Sequence, residues 1–415
     1  MAPATAFEQV LDQSSRSDPY PLYGELRQEP VSRQEDGSYV VSTYREIVAL
    51  LHDPRVSSDG RNLSYLPTSQ PPPLDSAPGQ DPPFIRRDPP EHDRLRRLVM
   101  SQFGPPQSPN KIDGMRPQME EIISSLVDGI ADRTQADIVE DIAHPFPVLV
   151  ICRLLGVPRE DESRFRGWAD AAVEGFGPGA GDQAERERKR TEAMASLRQY
   201  LGGLAEERRA RPADDLISGL VTYEGPDGRL TPEDVEGTAS LLLIAGHETT
   251  VNLISNGVLT LLRYPQILER LKREPDLVIK TVEELLRYEP PVHFPVLRAA
   301  LDDITIGDTT IPKGAPIVLA LAAGSRDPAC IPHPEQFDPD RESNEHLGFG
   351  GGIHYCFGAP LARLETQLAL TEIFSRLENP RLLADPPPYR PSSALRGPSH
   401  LSVAFDRVLP RAATR

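Results

Sequence analysis

The sequence has few cysteines and no long apolar run, and each shortage excludes a class of protein. Only Cys152, Cys330 and Cys356 occur in 415 residues, an odd and widely spaced set that suits a reducing compartment rather than a disulfide framework. No stretch approaches the ~18 apolar residues of a membrane span, and the amino terminus lacks the basic start and apolar run of a signal peptide. We therefore expect a cytoplasmic protein without a membrane anchor.

Basic residues are also in deficit, with 45 Lys and Arg against 62 Asp and Glu and a formal net charge of −17. An acidic surface of this size repels phosphate backbones and anionic lipids, which makes nucleic acid and membranes poor partners. The 38% apolar and 26% charged residues are typical of a globular protein, and 415 residues can bury a core that encloses a cofactor.

The spacing of apolar residues predicts a mainly α fold with small β-sheets. Helical three-and-four spacing runs through 115–132, 195–208, 232–263, 266–288 and 360–377. Short β-branched or alternating stretches predict strands at 38–41, 304–311, 317–319 and near 401–405. Without internal repeats or a sharp change in composition, we expect a single domain over 1–415, with an α-rich core and a smaller β-rich amino-terminal portion.

Two segments are dominated by residues that disfavour regular structure. Nine prolines in the 24 positions of 67–90 predict a long, semi-rigid loop. Glycines at 175–181 are typical of a surface linker between helical segments.

The most informative stretch, 349–358, surrounds Cys356 with glycines. Three consecutive glycines let the backbone approach a flat surface closely, and Pro360 opens a helical pattern whose first amides favour an ionised sulfur. No third group near His354 in sequence orients it for nucleophilic catalysis, and no second cysteine or paired histidine supports tetrahedral zinc. A single axial thiolate and a buried small residue in a tight turn both remain open from the residues alone.

The same stretch resembles the haem-binding signature of the cytochrome P450 superfamily, Phe-Gly-x-Gly-x-His-x-Cys-x-Gly, at every fixed position. The similarity extends from about Asp18 to Val403 and is greatest to soluble actinobacterial members. It implies the cytochrome P450 fold, a long central helix over a buried haem b, and Cys356 as the axial ligand of the haem iron. The other signature residues that the resemblance places around the haem are Phe349, Gly350, His354 and Gly358.

A long helix is predicted from Thr231, as its N-cap, to about Tyr264. Gly246 in its middle weakens a helix by roughly 1 kcal/mol relative to alanine, and the pair Glu248 and Thr249 interrupts an apolar face. A glycine for close packing beside a back-bonded threonine would explain both features without any chemistry.

The family carries Ala/Gly-Gly-x-Asp/Glu-Thr in this central helix, and residues 245–249 match it. The resemblance implies that Thr249 donates a hydrogen bond to dioxygen at the iron and that Glu248 relays protons from solvent. It also implies that Gly246 and Ala245 leave room for the ligand.

Glu284 and Arg287 are three residues apart and share one helix face, where an exposed pair would have little significance. They resemble the Glu-x-x-Arg signature of the family, which Arg341 in a later loop completes. The resemblance assigns this triad to holding the fold rather than to chemistry.

Cations are needed to bind the propionates of a haem. His92 and Arg96 resemble the propionate-binding helix of the family, and Arg298 and His354 resemble its two other propionate ligands. Further cations, expected near the proximal face and suited to docking an acidic ferredoxin, are Arg94, Arg97 and Arg363.

The resemblance implies a haem-thiolate monooxygenase that uses dioxygen and electrons from a ferredoxin or flavodoxin with its NAD(P)H-dependent reductase. We expect it to hydroxylate or epoxidise a medium-to-large, largely apolar secondary metabolite. The regions that resemble the substrate-recognition sites are 67–90, 175–181, the helix near Leu242 and Ala245, 292–297, and the turn near Leu395.

Other hypotheses stay open: oxidative coupling, desaturation or the use of peroxide by a haem-thiolate enzyme, and a haem-bearing recruitment protein without turnover. The chain departs from the family at 324–328, where Gly-Ser-Arg-Asp-Pro replaces Ala-Asn-Arg-Asp-Pro and puts the hydrogen bonding of that loop in doubt. Cys152 and Cys330 match nothing catalytic and are interpreted as packing residues.

Overall fold

The computed structural model describes residues 4–67, 82–104, 108, 110–174 and 183–411. Most of the predicted loop 67–90 and the whole glycine-rich segment 175–181 lie outside the described residues.

The described chain is mainly α-helical with small sheets, which confirms the predicted fold class. The helices are α1 Ala6–Leu11, α2 Tyr20–Leu26, α3 Tyr44–Leu51, α4 Glu91–Phe103, α5 Asn110–Gly114, α6 Arg116–Asp128, α7 Pro145–Leu155, α8 Glu162–Glu174, α9 Gln183–Ala210, α10 Leu216–Thr222, α11 Pro232–Arg263, α12 Pro265–Arg273, α13 Leu277–Tyr288, α14 Leu321–Gly324 and α15 Ala359–Arg376. The strands are β1 Val31–Arg33, β2 Tyr39–Val41, β3 Val56–Ser57, β4 Gln135–Asp137, β5 Arg298–Ala300, β6 Ile304–Ile306, β7 Thr309–Ile311, β8 Pro316–Leu319, β9 Arg381–Leu382 and β10 Ser402–Ala404.

The start of α11 follows the predicted capping signal. Thr231 Oγ1 accepts a hydrogen bond from the Asp234 amide at 3.1 Å, and the Asp234 carboxylate accepts one from the Thr231 amide at 3.1 Å. This capping box satisfies two amides at the amino-terminal end of the helix, where intrahelical acceptors are missing. The predicted end, at about Tyr264, is the C-cap that follows Arg263.

The helical spacing over 266–288 belongs to two helices, α12 and α13, rather than to one. The chain leaves helical geometry at Glu274, with φ −124° and ψ 75°, and α13 begins three residues later. Pro275 explains the break, because its ring disfavours helical geometry at the preceding residue. Apolar periodicity continued across the break, and it concealed this interruption.

By contacts between Cα atoms, the described residues divide into two compact units. The first lies within Met1–Arg94, Glu283–Phe357 and Arg390–Arg396, and the second lies within Leu95–Val282, Gly358–Tyr389 and Gly397–Arg415.

The first unit contains a five-stranded sheet of order β1-β2-β8-β5-β3 and the hairpin of β6 and β7. β2 and β8 run parallel with Val40 opposite Val318, and the other neighbouring strands of the sheet are antiparallel. One apolar cluster includes β2, β8 and α3, and another joins α1 and α2 to Phe294 and Leu297.

In the second unit, α11 packs against α7, α9 and α15. Most of its side chains are buried, which explains the apolar composition of so long a helix. The three-stranded sheet β4-β10-β9 also belongs to this unit. Among the described residues, no helix is both long and apolar enough to cross a bilayer.

Candidate functional site

In the first unit, the loop that carries Cys356 is closed by its own backbone. The Cys356 amide donates to the Phe349 carbonyl at 3.0 Å, and the Tyr355 amide donates to the Gly352 carbonyl at 3.1 Å. Gly352 has φ +61°, and a Cβ atom there would lie 1.9 Å from the Leu51 carbonyl oxygen. A glycine is therefore required for the loop to pass this close to the end of α3.

Two of the predicted haem-contacting histidines lie together. The imidazole rings of His92 and His354 have centroids 4.4 Å apart, although the residues are far apart in sequence. His92 is fully buried, and its Nδ1 lies 2.8 Å from Asp93 Oδ1. Phe84 and Phe357 extend the cluster, with ring centroids 5.3 Å apart and Phe84 also 6.2 Å from His92.

The third predicted propionate ligand of this unit, Arg298, lies at the start of β5. Burial and the positive charge of Arg86 lower the pKa of Arg298 to about 10, and Asp88 opposes this shift. The guanidinium is therefore still charged at neutral pH, and its Nη1 donates to the Val296 carbonyl at 3.1 Å. Two neighbouring guanidinium groups of like charge favour the binding of an anion.

The donor set of the first unit fits a haem. Cys356 carries a thiol on a glycine-rich loop closed by its own backbone hydrogen bonds, and haem iron accepts such a ligand as the thiolate. His92, His354 and Arg298 are residues of this unit that could supply the hydrogen-bond donors and the positive charge that propionate groups need. Arg96, the remaining predicted propionate ligand, is half-buried and lies four residues after His92 on α4.

In the second unit, the burial of α11 is interrupted at the predicted catalytic residues. Ala245 is exposed and Gly246 and Thr249 are half-buried, whereas Glu248 is only 5% exposed. Thr249 Oγ1 donates to the Ala245 carbonyl at 2.7 Å, which is the back-bonded geometry. This hydroxyl thus has both a helical acceptor and an accessible side.

Gly246 also has a packing role, since a Cβ atom there would lie 3.3 Å from Ile151 Cδ1 of α7. Sequence reasoning missed the neighbouring His247, which is fully buried with its ring centroid 4.6 Å from that of His144. Arg166 Nη2 lies 3.5 Å from His144 Nδ1. No spacing rule links these three residues, and only the tertiary structure reveals their proximity.

Glu284 and Arg287 form a completely buried ion pair rather than an exposed one. Arg287 donates to both carboxylate oxygens of Glu284, at 2.7 and 2.8 Å, and both side chains are 0% exposed. Arg341 Nε lies 3.5 Å from Glu284 Oε2. Arg287 also donates to three loop carbonyls, those of Ser325, Pro334 and Gln336.

The loop at 324–328, where the sequence departs from the family, still forms side-chain hydrogen bonds. Ser325 Oγ accepts from the Leu347 amide at 3.1 Å, shortly before the cysteine loop, and Asp327 Oδ2 accepts from the Tyr44 amide at 3.0 Å. The serine thus supplies a side-chain acceptor at the position where the family has asparagine.

The remaining predicted cations and cysteines lie outside these groups. Arg94 pairs with Glu91 at 2.9 Å and Arg97 with Asp227 at 2.7 Å, whereas Arg363 is half-buried on α15. Of the other two cysteines, Cys330 is half-buried and Cys152 is fully buried. Desolvation raises the pKa of the Cys152 thiol to about 12.

The sequence and the structure both resemble those of known proteins. A sequence model described as Cytochrome P450 matches residues 182–405. Cytochrome P450 monooxygenase PikC of Streptomyces venezuelae is 38% identical over 410 residues, covering 96% of this chain and 94% of that protein. Mycinamicin IV hydroxylase/epoxidase of Micromonospora griseorubida is 37% identical over 394 residues, covering 92% of this chain and 94% of that protein.

Among solved structures, the polyketide synthase cytochrome P450 PksS of Bacillus subtilis matches with a TM-score of 0.85 at 32% identity, covering 96% of this chain and 99% of that one. The family match alone spans more than half of the chain and includes α11, the buried Glu284–Arg287 pair and the cysteine loop. The chain therefore belongs to the cytochrome P450 family of monooxygenases, whose members bind haem b and use dioxygen.

Proposed function

We propose that this protein hydroxylates or epoxidises a medium-to-large, largely apolar secondary metabolite, with Cys356 as the thiolate that would hold the iron of its haem. The observation that carries the assignment is the closed cysteine loop beside the paired imidazoles of His92 and His354. The haem supplies the activation of dioxygen, and the protein selects which bond of the substrate reacts. We assign the binding of the propionates to His92, His354, Arg298 and Arg96.

The residues of α11 handle the proton and the oxygen ligand in this proposal. Thr249 has its hydroxyl on the accessible side of the helix, with its one proton donated to the Ala245 carbonyl. With haem and dioxygen bound, this proton would turn to hydrogen-bond the dioxygen, and Glu248 would deliver protons. Ala245 and Gly246 provide space beside them, because neither has a side chain larger than a methyl group.

The substrate class is supported by apolar side chains that stay partly accessible. Val292, Val296 and Leu395 of the first unit are half-buried, whereas the intervening His293 and Phe294 are buried. Two similar proteins carry names that include mycinamicin IV and polyketide synthase, which are consistent with large and mostly apolar substrates. We propose that electrons come from a ferredoxin or flavodoxin chain whose acidic carrier docks near Arg94, Arg97 and Arg363.

The first test is the carbon monoxide difference spectrum of the dithionite-reduced protein. Thiolate ligation shifts the Soret band far to the red of that of histidine-ligated haem, so a red-shifted band supports Cys356 as the ligand. A band at the shorter wavelength in folded protein would refute it. Spin-state titration with mycinamicin IV tests the substrate class, and affinity only for small, highly charged compounds would contradict that class.

Turnover is tested with Thr249→Ala against a matched control in the same helix. Ser255 Oγ donates to the Val251 carbonyl at 2.7 Å, the same local bond that Thr249 makes to Ala245. We expect Thr249→Ala to uncouple NAD(P)H consumption from product formation and Ser255→Ala to leave the coupling unchanged. Equal coupling in all three proteins would refute the role of Thr249, whereas the absence of product from all three would favour a recruitment protein without turnover. Product analysis separates oxygen insertion from coupling or desaturation.

A further inference from the structure

Two segments that are far apart in sequence pair with each other in the first unit: residues 291–297 and 394–396, which we call the paired segments. Val292 and Leu395 form an antiparallel bridge. The His293 amide donates to the Ala394 carbonyl at 2.8 Å, and the Arg396 amide donates to the Pro291 carbonyl at 2.8 Å. So short a two-stranded ribbon is marginal in water without further support.

Arg396 supplies that support from the side of the amino-terminal segment. Its side chain is buried, with Nε donating to the Arg16 carbonyl at 2.8 Å and Nη2 donating to the Ser17 carbonyl at 3.0 Å. Its Nη1 forms an ion pair with Glu289, which lies just before the first of the paired segments. One guanidinium therefore ties both paired segments to residues 16–17.

Glu289 is shared by several partners. Its carboxylate also accepts from the Tyr20 hydroxyl at 3.1 Å and from Arg326 Nη2 at 3.3 Å. The Arg326 guanidinium lies 3.3 Å from the centroid of the Tyr20 ring. Glu289 is thus the carboxylate that the buried guanidinium groups of Arg326 and Arg396 share, so its removal would be costly for both.

A second tie joins α2 to the middle of the first paired segment. The Tyr23 hydroxyl lies 2.6 Å from His293 Nδ1, and the two ring centroids are 5.5 Å apart. Burial and the positive charges of Arg396, Arg16 and Arg326 lower the pKa of His293 well below its usual value, so the ring is neutral at physiological pH and shares an uncharged hydrogen bond with the Tyr23 hydroxyl. Tyr20 and Tyr23 are three residues apart on α2 and share the face that carries both ties.

We propose that Arg396, Glu289 and the Tyr23–His293 pair are positioning residues, through which the amino-terminal segment of this chain fixes the paired segments and thereby sets substrate affinity and the position oxidised. The proposal rests on the proposed function, which assigns Val292, Val296 and Leu395 to the substrate wall. None of the positioning residues is required to touch the substrate or the haem.

The test compares two buried arginines in the holoenzyme. Arg396→Gln removes the tie described above, and Arg376→Gln is the matched control in the second unit. Arg376 is 4% exposed, donates to the Leu409 carbonyl at 2.6 Å and pairs with Asp128 at 2.6 Å and Glu372 at 3.2 Å. The two variants therefore lose similar sets of partners at different places.

Hydrogen exchange, followed by mass spectrometry on peptides that cover the paired segments, is the primary measurement and needs no substrate. We expect Arg396→Gln to accelerate exchange there by about fivefold or more, which corresponds to about 1 kcal/mol in a local opening equilibrium, whereas Arg376→Gln leaves it unchanged. In spin-state titrations with mycinamicin IV, the apparent Kd rises by a similar factor in Arg396→Gln and the ratio of products changes. Binding of imidazole, which contacts the iron, stays unchanged.

Tyr23→Phe is the second variant, and it decides the matter if Arg396→Gln yields no folded holoenzyme. It deletes one hydroxyl and keeps the ring packing, and Tyr44→Phe on α3 is its control. Tyr44 also bonds through its hydroxyl to a carboxylate, that of Glu345, and burial raises its pKa to about 12. We expect faster exchange around His293 in Tyr23→Phe only.

Unchanged exchange in both Arg396→Gln and Tyr23→Phe would overturn the positioning role. Faster exchange with unaltered mycinamicin IV affinity and products would overturn the link from the paired segments to specificity. If mycinamicin IV does not bind the unmodified enzyme, the proposed substrate class fails, and the exchange rates still decide whether the positioning residues act on the paired segments.

Discussion

Replacement of Arg287 by leucine is expected to destabilise the protein more than any surface change, because the arginine is completely buried with its partner. The substitution leaves the Glu284 carboxylate buried with Arg341 at 3.5 Å and the Asp338 amide at 2.9 Å. Breaking a buried pair from one side costs about 3–5 kcal/mol, out of a total stability of about 5–15 kcal/mol for a typical domain. We therefore expect a large fall in the midpoint of unfolding.

The assay is urea unfolding followed by far-UV circular dichroism, with haem content read from the absorption spectrum. Arg188→Leu is the control, since Arg188 pairs with Glu185 and Glu192 on α9 but has a 56% exposed side chain. We expect its unfolding midpoint to stay at the value of the unmodified protein.

A double variant separates the lost pair from the stranded charge. Glu284→Gln combined with Arg287→Leu removes both charges, so we expect it to be more stable than Arg287→Leu alone. The reasoning is refuted if Arg287→Leu unfolds within about 1 kcal/mol of the unmodified protein, or if the double variant is less stable than the single one.

Three further predictions follow from single residues. Burial raises the pKa of Glu365 well above its usual value, so the folded state binds this proton more tightly than the unfolded chain and loses that advantage as the pH rises above the unfolded value. Glu365→Gln should therefore raise Tm relative to the unmodified protein more at pH 8 than at pH 5, and a difference independent of pH would contradict this. Because its thiol pKa is raised to about 12, Cys152 should resist iodoacetamide at pH 8 in the native protein and react in urea, as followed by peptide mass spectrometry. Gly352→Ala should lower the ratio of haem to protein absorbance, because the new Cβ would lie 1.9 Å from the Leu51 carbonyl oxygen, whereas Gly307→Ala, at φ +56° with no atom within 4 Å, should keep that ratio. Equal haem content in these two variants would show that space at the cysteine loop does not limit haem binding.

Short-range signals made several features predictable from the sequence. The Thr231 capping box depends on residues three apart, so a threonine, a proline and two acids were enough to place the start of α11. The signature around Cys356 is likewise local, and it identified the family that the comparisons confirm. The roles assigned to Thr249 and Glu248 stay predictions until the variants are measured.

Other features depended on residues that meet only in the folded chain. β3 and β9 have two residues each, too short to show an alternating pattern, and they are strands because β5 and β10 pair with them. The spacing of Glu284 and Arg287 predicted a shared helix face but not its burial. A surface pair and a buried pair have the same spacing, and they differ several-fold in what a substitution costs.

What the sequence by itself determined is therefore the family, the mainly helical class and the position of Cys356 in its loop, because each rests on residues close together in the chain. The tertiary structure decided which side chains are buried and which distant residues meet, such as His92 with His354 and Glu289 with Arg396. These meetings depend on how the helices and strands pack. Desolvation then determines whether a charge is neutralised, paired or left accessible, and no local sequence pattern encodes the extent of that desolvation.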